Sequence, residues 1–156
     1  MSVLGSLRSI RRGREEALAP EDLRTRAAAA AGVLLDLGTG DGAYPYRFAR
    51  DNPDWFAIGL DAAADNLAKT AKRIGAKPAK GGVDNLVLLV EAVERLPDAL
   101  DGIADRLTVN FPWGSLQQGL VLGEAAILAP LRRALKPGGR FDIWLNMQVF
   151  ADHDLR

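Results

Sequence analysis

Seven consecutive residues, Asp36-Leu37-Gly38-Thr39-Gly40-Asp41-Gly42, combine two acids and three glycines directly after the apolar run Val33–Leu37. Glycines let a backbone turn tightly and approach a ligand with no Cβ in the way, so the pattern predicts a strand ending in a ligand-binding loop. Gly59-Leu60-Asp61 closes the next apolar run. It places a carboxylate about twenty residues past the loop, where such a group accepts both hydroxyls of an adenosine ribose. Gly38, Gly40 and Ala43 also satisfy the spacing G-x-G-x-x-G/A, which keeps a nicotinamide dinucleotide open. Asp36 weighs against it, because an acid there can hold an ammonium or order water near an amino-acid group but disfavours a pyrophosphate. That favours S-adenosyl-L-methionine, a cationic sulfonium with an amino-acid tail, over a nicotinamide dinucleotide. The bland alternative is a glycine turn in which Asp41 caps the next helix.

Two further segments carry chemistry. Glu91-Ala92-Val93-Glu94-Arg95-Leu96-Pro97 follows the run Leu86–Val90, and Glu94 is a candidate contact beside the cofactor's adenine or, equally, an acid at a helix N-terminus. Asn110-Phe111-Pro112-Trp113-Gly114-Ser115 ends the run Arg106–Asn110. Pro112 restricts itself and Phe111, so this loop is expected to be held. A held indole at Trp113 suits stacking on an unpaired base, although a Trp at a strand end also serves as core or rim packing. Trp55 and Trp144 lie in apolar strand patterns and are assigned to the core.

These segments need a scaffold that brings strand ends to one edge. Pro20-Glu21-Asp22 reads as a helix first turn, Arg24–Ala31 continues it, and Gly32 stops it. Strands are predicted at Val33–Leu37, Trp55–Leu60, Leu86–Val90, Arg106–Asn110 and Phe141–Leu145. Between them lie an amphipathic stretch at Tyr44–Asp51 and helices at Ala62–Ile74 and Glu124–Leu135. Lys136, Pro137, Gly138 and Gly139 read as a basic last turn followed by breakers. Strands alternating with helices imply right-handed βαβ units, hence an α/β, doubly wound, mainly parallel sheet with ligands at the carboxyl ends of its strands.

Composition bounds the rest. At 156 residues with 48% apolar content, the chain suits a single domain spanning 1–156, with a core at 33–146. It has no cysteine and one histidine, which removes thiol nucleophiles and Cys-based zinc sites, so no metal is expected. No apolar run approaches the length of a membrane span. The arginine-rich start lacks a signal-peptide core, and a cytoplasmic protein without membrane attachment is expected. Twenty basic residues balance twenty acidic ones, yet unevenly. Arg8, Arg11, Arg12 and Arg14 cluster at the start, and Asn66–Val83 carries Lys69, Lys72, Arg73, Lys77 and Lys80 without one acid. On charge alone these are ordinary solvated faces.

With DLGTGDG, GLD, AKPAKGG, EAVERLP and FPWGSL in this order, the sequence resembles the aminoglycoside-resistance 16S ribosomal RNA adenine-N1 methyltransferases, the Kam and Pam group. The likeness spans roughly Leu7 to Phe150. It implies a Rossmann-like class I methyltransferase fold preceded, within residues 1–32, by a small hairpin and helix. It also implies methyl transfer from S-adenosyl-L-methionine to N1 of an adenine in the decoding A site of 16S rRNA, within the 30S subunit, conferring aminoglycoside resistance. Carried over by motif, Asp36, Gly38, Thr39, Gly40, Asp61 and Asn66 would hold the cofactor's amino-acid and ribose parts, with Val93 and Glu94 near its adenine. Asn110 and Ser115 would line the methyl-transfer side, Phe111, Pro112 and Trp113 would form the catalytic loop, and Trp113 would stack on the flipped base. Lys72, Arg73 and Lys77 match a basic surface that docks on ribosomal RNA, and a monomer is expected. The group continues into further strands and a second base-stacking Trp that have no counterpart here, so its C-terminal antiparallel hairpin is expected to be absent. The alternatives are a weak or inactive cofactor- or RNA-binding homologue or fragment, a form completed by a partner, and a small-molecule methyltransferase.

Overall fold

In the computed structural model, which describes residues 5–148 and 151, the chain opens with a hairpin of β1 (Leu7–Arg11) and β2 (Arg14–Leu18), then α1 (Pro20–Ala29). Arg12 and Gly13 form the turn with φ of 51° and 76°, since a tight hairpin turn of type I′ needs positive φ at both central residues. The core follows as β3 (Val33–Leu37), α2 (Ala43–Asp51), β4 (Phe56–Asp61), α3 (Ala64–Ile74), β5 (Leu86–Val90), β6 (Ala104–Asn110), α4 (Gly114–Leu122), α5 (Ala125–Ala134) and β7 (Leu135–Trp144).

All strands join one sheet in the order β2-β1-β5-β4-β3-β6-β7. The strands β3 to β7 run parallel, and the hairpin is antiparallel to β5 through the pair Ser9↔Leu89. The fold is the expected doubly wound α/β sheet. From β3 the chain builds outward through β4 and β5, then returns to place β6 on the other side of β3. That reversal opens a crevice at the carboxyl ends of β3 and β6, where such sheets bind ligands.

Runs buried on both faces explain why the central strands lack polar alternation. Leu34, Ala57, Leu86 and Leu88 pack with Tyr46, Leu67, Ala71 and Ile74 of α2 and α3. Leu35, Leu37, Ile58 and Leu107 pack on the other face with Leu23 of α1 and Ile127 and Leu131 of α5. Each fully buried leucine contributes about 1.5–3 kcal/mol through removal of its side chain from water.

Four features correct the sequence reading. Helix α4 has no counterpart in it, because Gln117, Gln118 and Gly119 interrupt the apolar spacing. Its cause is tertiary: a Cβ on Gly119 would lie 2.2 Å from Ile127 Cγ1, so the absent side chain is what lets α4 close on α5. Strand β7 begins at Leu135 rather than Phe141, and Lys136–Gly139 do not break it. The register passes from Ala104↔Leu135 to Arg106↔Arg140, so these residues bulge from the edge strand, where a proline is tolerated. Trp144 is 61% exposed and not core. It pairs with Asn110 on β7, whose outer edge has no partner strand among the described residues. Trp55 is not core either: it precedes β4 and is half-buried, edge-to-face on Phe48 at 5.5 Å. No strand follows β7 among the described residues, and none of their helices is long and apolar enough to cross a membrane.

Candidate active site

Strand β3 delivers Asp36 to the reversal point, where it pairs with Thr108 of β6 on one side and Gly59 of β4 on the other. The carboxylate is 1% exposed and takes three side-chain donors. Thr39 Oγ1 donates to Oδ2 at 2.6 Å; Thr108 Oγ1 and Asn110 Nδ2 donate to Oδ1 at 2.6 and 3.2 Å. Burial pushes the Asp36 carboxyl up to about 6, and the Thr108, Thr39 and Asn110 donors oppose that rise. No cation pairs with it among the described residues. A buried anion bonded only by neutral donors is suited to a ligand that brings a positive charge.

The loop after β3 needs its glycines. Gly38 has φ +62°, and a Cβ there would lie 2.8 Å from Leu116 Cδ2. Gly40 N donates to Asp61 Oδ2 at 2.8 Å, while Asp61 Oδ1 accepts from Ala63 N at 2.9 Å and Asn66 Nδ2 lies 3.5 Å from the same oxygen. Asp41 Oδ1 accepts from Ala43 N at 2.9 Å, but the N-cap of α2 is Gly42, in the left-handed region, so Asp41 is not the capping residue that the alternative reading made it.

A cleft of about 250 Å³ lies over these strand ends, lined among others by Gly38, Asp61, Val93, Glu94, Trp113 and Ser115. Pro112 lines it too and is buried. Val93 turns most of its side chain into the core, whereas Glu94 stays at the rim, where Ser115 Oγ donates to its Oε1 at 3.2 Å. That bond ties the loop after β6 to the turn after β5. Trp113 is 81% exposed, an indole standing free beside the cleft. A larger hollow of about 590 Å³ lies between the hairpin, α1 and the 98–100 turn, far from the glycine loop. Its Arg24 is already bonded to the carbonyls of Ala99 and Asp101, and it gathers no comparable donor set.

Phe111 stands outside the cleft lining and is exposed. It is held, but not extended as a residue before proline usually is: its φ is +49°, and its N–H donates to Trp144 O at 2.7 Å. A bulky residue in the left-handed region is strained, and such strain gathers at functional loops.

Lys72, Arg73 and Lys77 lie away from the cleft, exposed at the end of α3 and just beyond it. The hairpin turn docks there: Arg12 N donates to Ala71 O at 2.9 Å, and a Cβ on Gly13 would meet Lys72 Cε at 3.1 Å. Two basic clusters distant in sequence thus meet in one surface. Arg73 also lies over the Tyr46 ring at 5.3 Å, so part of its contact is structural. Sequence reading missed Thr108, although alternation along β6 puts it on the same face as Asn110 two residues later.

Comparison with known proteins bears on this geometry. The family profile described as "NpmA: 16S rRNA (adenine(1408)-N(1))-methyltransferase" matches residues 10–156. The chain belongs to this family. A 16S rRNA (adenine(1408)-N(1))-methyltransferase of Streptoalloteichus tenebrarius is 41% identical over 118 residues, covering 76% of this chain and 54% of the relative. One from Escherichia coli is 38% identical over 110 residues, covering 70% and 50%. The chain spans about half the length of the curated relatives it matches. Among solved structures, a tryptophan-to-alanine mutant of the Catenulisporales acidiphilia enzyme superposes with a TM-score of 0.91 at 38% identity, covering 97% of this chain and 77% of that one. The same type of mutant solved with cosubstrate SAM gives 0.86 at 42% identity, covering 88% and 67%. The antibiotic-resistance methyltransferase Kmr gives 0.86 at 40%, covering 96% and 77%. The NpmA-family fold therefore extends over the hairpin and every strand described above.

Proposed function

We propose that this chain binds S-adenosyl-L-methionine in the cleft at the β3–β6 reversal and methylates N1 of an adenine in the decoding A site of 16S rRNA, within the 30S subunit. The observation that carries the reading is a cleft, in an NpmA-family chain, that gathers Gly38, Asp61, Glu94 and Trp113, with the buried Asp36 beneath the same glycine loop and bonded to its Thr39. The residues fit the cofactor by their chemistry. Asp36 offers negative charge to an amino-acid end, Asp61 keeps acceptor capacity for ribose hydroxyls, and Val93 and Glu94 offer an apolar and a polar contact for an adenine.

When bound, the cofactor supplies an electrophilic methyl on a sulfonium. Adenine N1 carries an in-plane lone pair and needs no deprotonation, so the chain need provide no general base. The work of Asn110, Phe111, Pro112, Trp113 and Ser115 is placement, which can lower a barrier by about 7–11 kcal/mol when reacting atoms are held in line. Trp113 offers a flat face to a base taken out of its stack, and an aromatic face tolerates the positive charge that the methylated base acquires. Lys72, Arg73 and Lys77, joined by the hairpin arginines, would contact rRNA phosphates, which position a protein without reading sequence. In this reading the chain acts as a cytoplasmic monomer and confers aminoglycoside resistance.

Reverse-transcriptase primer extension across the decoding site tests the reaction and target together, using 30S subunits incubated with this chain and S-adenosyl-L-methionine. N1 methylation blocks the Watson–Crick edge, so a cofactor-dependent stop at the A-site adenine is expected. Cofactor binding with no stop would leave a binding homologue; neither would remove the methyltransferase reading.

A further inference from the structure

Thr108 lies between Leu107 and Val109 in a strand of the core and is itself 1% exposed. A hydroxyl so buried demands a partner, and it has one across the β3–β6 pair in Asp36 Oδ1 at 2.6 Å, the short range of a bond to a charged oxygen. The other donors differ in mounting. Thr39 rides on the ligand loop, and Asn110 stands at the strand's end, where the methyl-transfer loop begins. Thr108 is the donor fixed within the sheet.

Charged groups on the elements around Asp36 are engaged elsewhere. Asp61 at the end of β4 takes Gly40 N and Ala63 N, and Asp41 ahead of α2 takes Ala43 N. Arg106 on β6 lies 3.3 Å from Asp142 on β7, and Arg140 pairs with the same acid at 2.8 Å. On α2, the Tyr46 hydroxyl donates to Gly81 O. Orientation and ionisation of Asp36 therefore rest on neutral donors, of which Thr108 makes one of the two shortest bonds.

We infer that Thr108 is a positioning residue for the cofactor: from the rigid strand it holds the Asp36 carboxylate in one rotamer and in its charged form, facing the cationic amino-acid end of S-adenosyl-L-methionine. This role rests on the cofactor reading above. Through Asn110, bonded to the same oxygen, it also fixes the cofactor's anchor relative to the start of the Phe111–Ser115 loop.

The test compares the wild-type chain with Thr108→Val, which removes the hydroxyl and keeps the shape, and Thr108→Ser, which keeps the hydroxyl. Two quantities are read: titration of the Asp36 carboxyl by carbon NMR without cofactor, and affinity for S-adenosyl-L-methionine by calorimetry across pH 5–8. Thr108→Val should move the Asp36 midpoint upward by about one pH unit, the effect of losing one bond to a charged acceptor, and so weaken binding about twofold at pH 7 and close to tenfold at pH 5. The acidic limb of the affinity profile should move with the midpoint, and Thr108→Ser should restore both. If valine prevents folding, Thr108→Ala removes the same hydroxyl. Wild-type binding together with an unmoved Thr108→Val profile overturns the role alone. Absence of binding by the wild-type chain overturns the cofactor reading and this role with it.

Discussion

Gly40 and Asp61 are bonded to each other across the ends of β3 and β4, the Gly40 N–H donating to Asp61 Oδ2 at 2.8 Å. The glycine loop and the carboxylate that would hold a ribose are thus one unit. Removing the carboxylate frees the loop as well as losing the ligand contact. Asp61→Ala should weaken S-adenosyl-L-methionine binding by tenfold to a hundredfold, since bonds to a charged group contribute about 1.5–3 kcal/mol, and should lower the melting temperature of the cofactor-free chain. Calorimetry and thermal melts measure both. An unchanged melt would mean that Gly40 does not depend on Asp61.

Asp36 makes the opposite prediction for stability. Its carboxyl is raised to about 6 from an ordinary 3.8, so the folded chain holds this proton more tightly than the unfolded chain. The contribution is present in full below about pH 4 and is lost as pH rises through about 6. Asp36→Asn removes that loss. It should stabilise the fold at pH 7.5 by up to about 3 kcal/mol relative to wild type, with a much smaller gain at pH 4.5, while abolishing cofactor binding. Urea denaturation at the two pH values measures it; an equal gain at both would show that ionisation is not the cause.

Trp113 is exposed beside the cleft, so its truncation should cost the fold less than about 0.5 kcal/mol. Trp113→Ala should reduce methylation of 30S subunits by at least about a hundredfold, the loss of a stacked base and its alignment, and leave cofactor affinity within about threefold. Single-turnover methylation and calorimetry separate the two. Parallel loss of both would place the indole in the cofactor site.

The basic surface predicts a salt effect. Lys72→Glu with Arg73→Glu should weaken 30S binding and flatten its dependence on salt, because fewer phosphate counterions are released. Arg12→Asn should act in the same direction. It should also hold or raise stability by up to about 1 kcal/mol, since Asn adopts the +51° backbone of that turn more readily than Arg. Salt-titrated binding and thermal melts are the measurements, and unaltered salt dependence would return these residues to a solvated face.

Gly119 tests the packing of α4. Gly119→Ala puts a methyl group 2.2 Å from Ile127 Cγ1 and should destabilise by about 1–3 kcal/mol despite alanine's higher helix propensity. Net stabilisation in urea would show that α4 can shift on α5.

Elements with their own signal were legible in the sequence. The strands β3 and β5 appear with their observed bounds because runs buried on both faces are continuously apolar. Gly38, Gly40 and Asp61 were found because a loop of this type needs those residues at that spacing. What escaped depends on contacts between distant segments. Helix α4 exists through Gly119 against Ile127, and the bulge at Lys136–Gly139 is possible because it sits on an edge. Trp144 looks like core by local pattern, and its exposure shows only once β7 is placed at the sheet edge among the described strands. Thr108 resembles any strand threonine until the register sets it opposite Asp36.

The hairpin docks on β5 and α3 through the pair Ser9↔Leu89, the buried side chains of Leu7, Ser9 and Ile10, and the bond from Arg12 N to Ala71 O. A single supersecondary unit such as this hairpin can open at a lower free energy than the whole fold. The Arg12–Gly13 turn stands against Lys72 only while the hairpin is closed, and an RNA that binds the joined surface must draw on that closed population. In return it holds the hairpin shut, so the first thing a bound rRNA stabilises is the chain's own N-terminal strand pair.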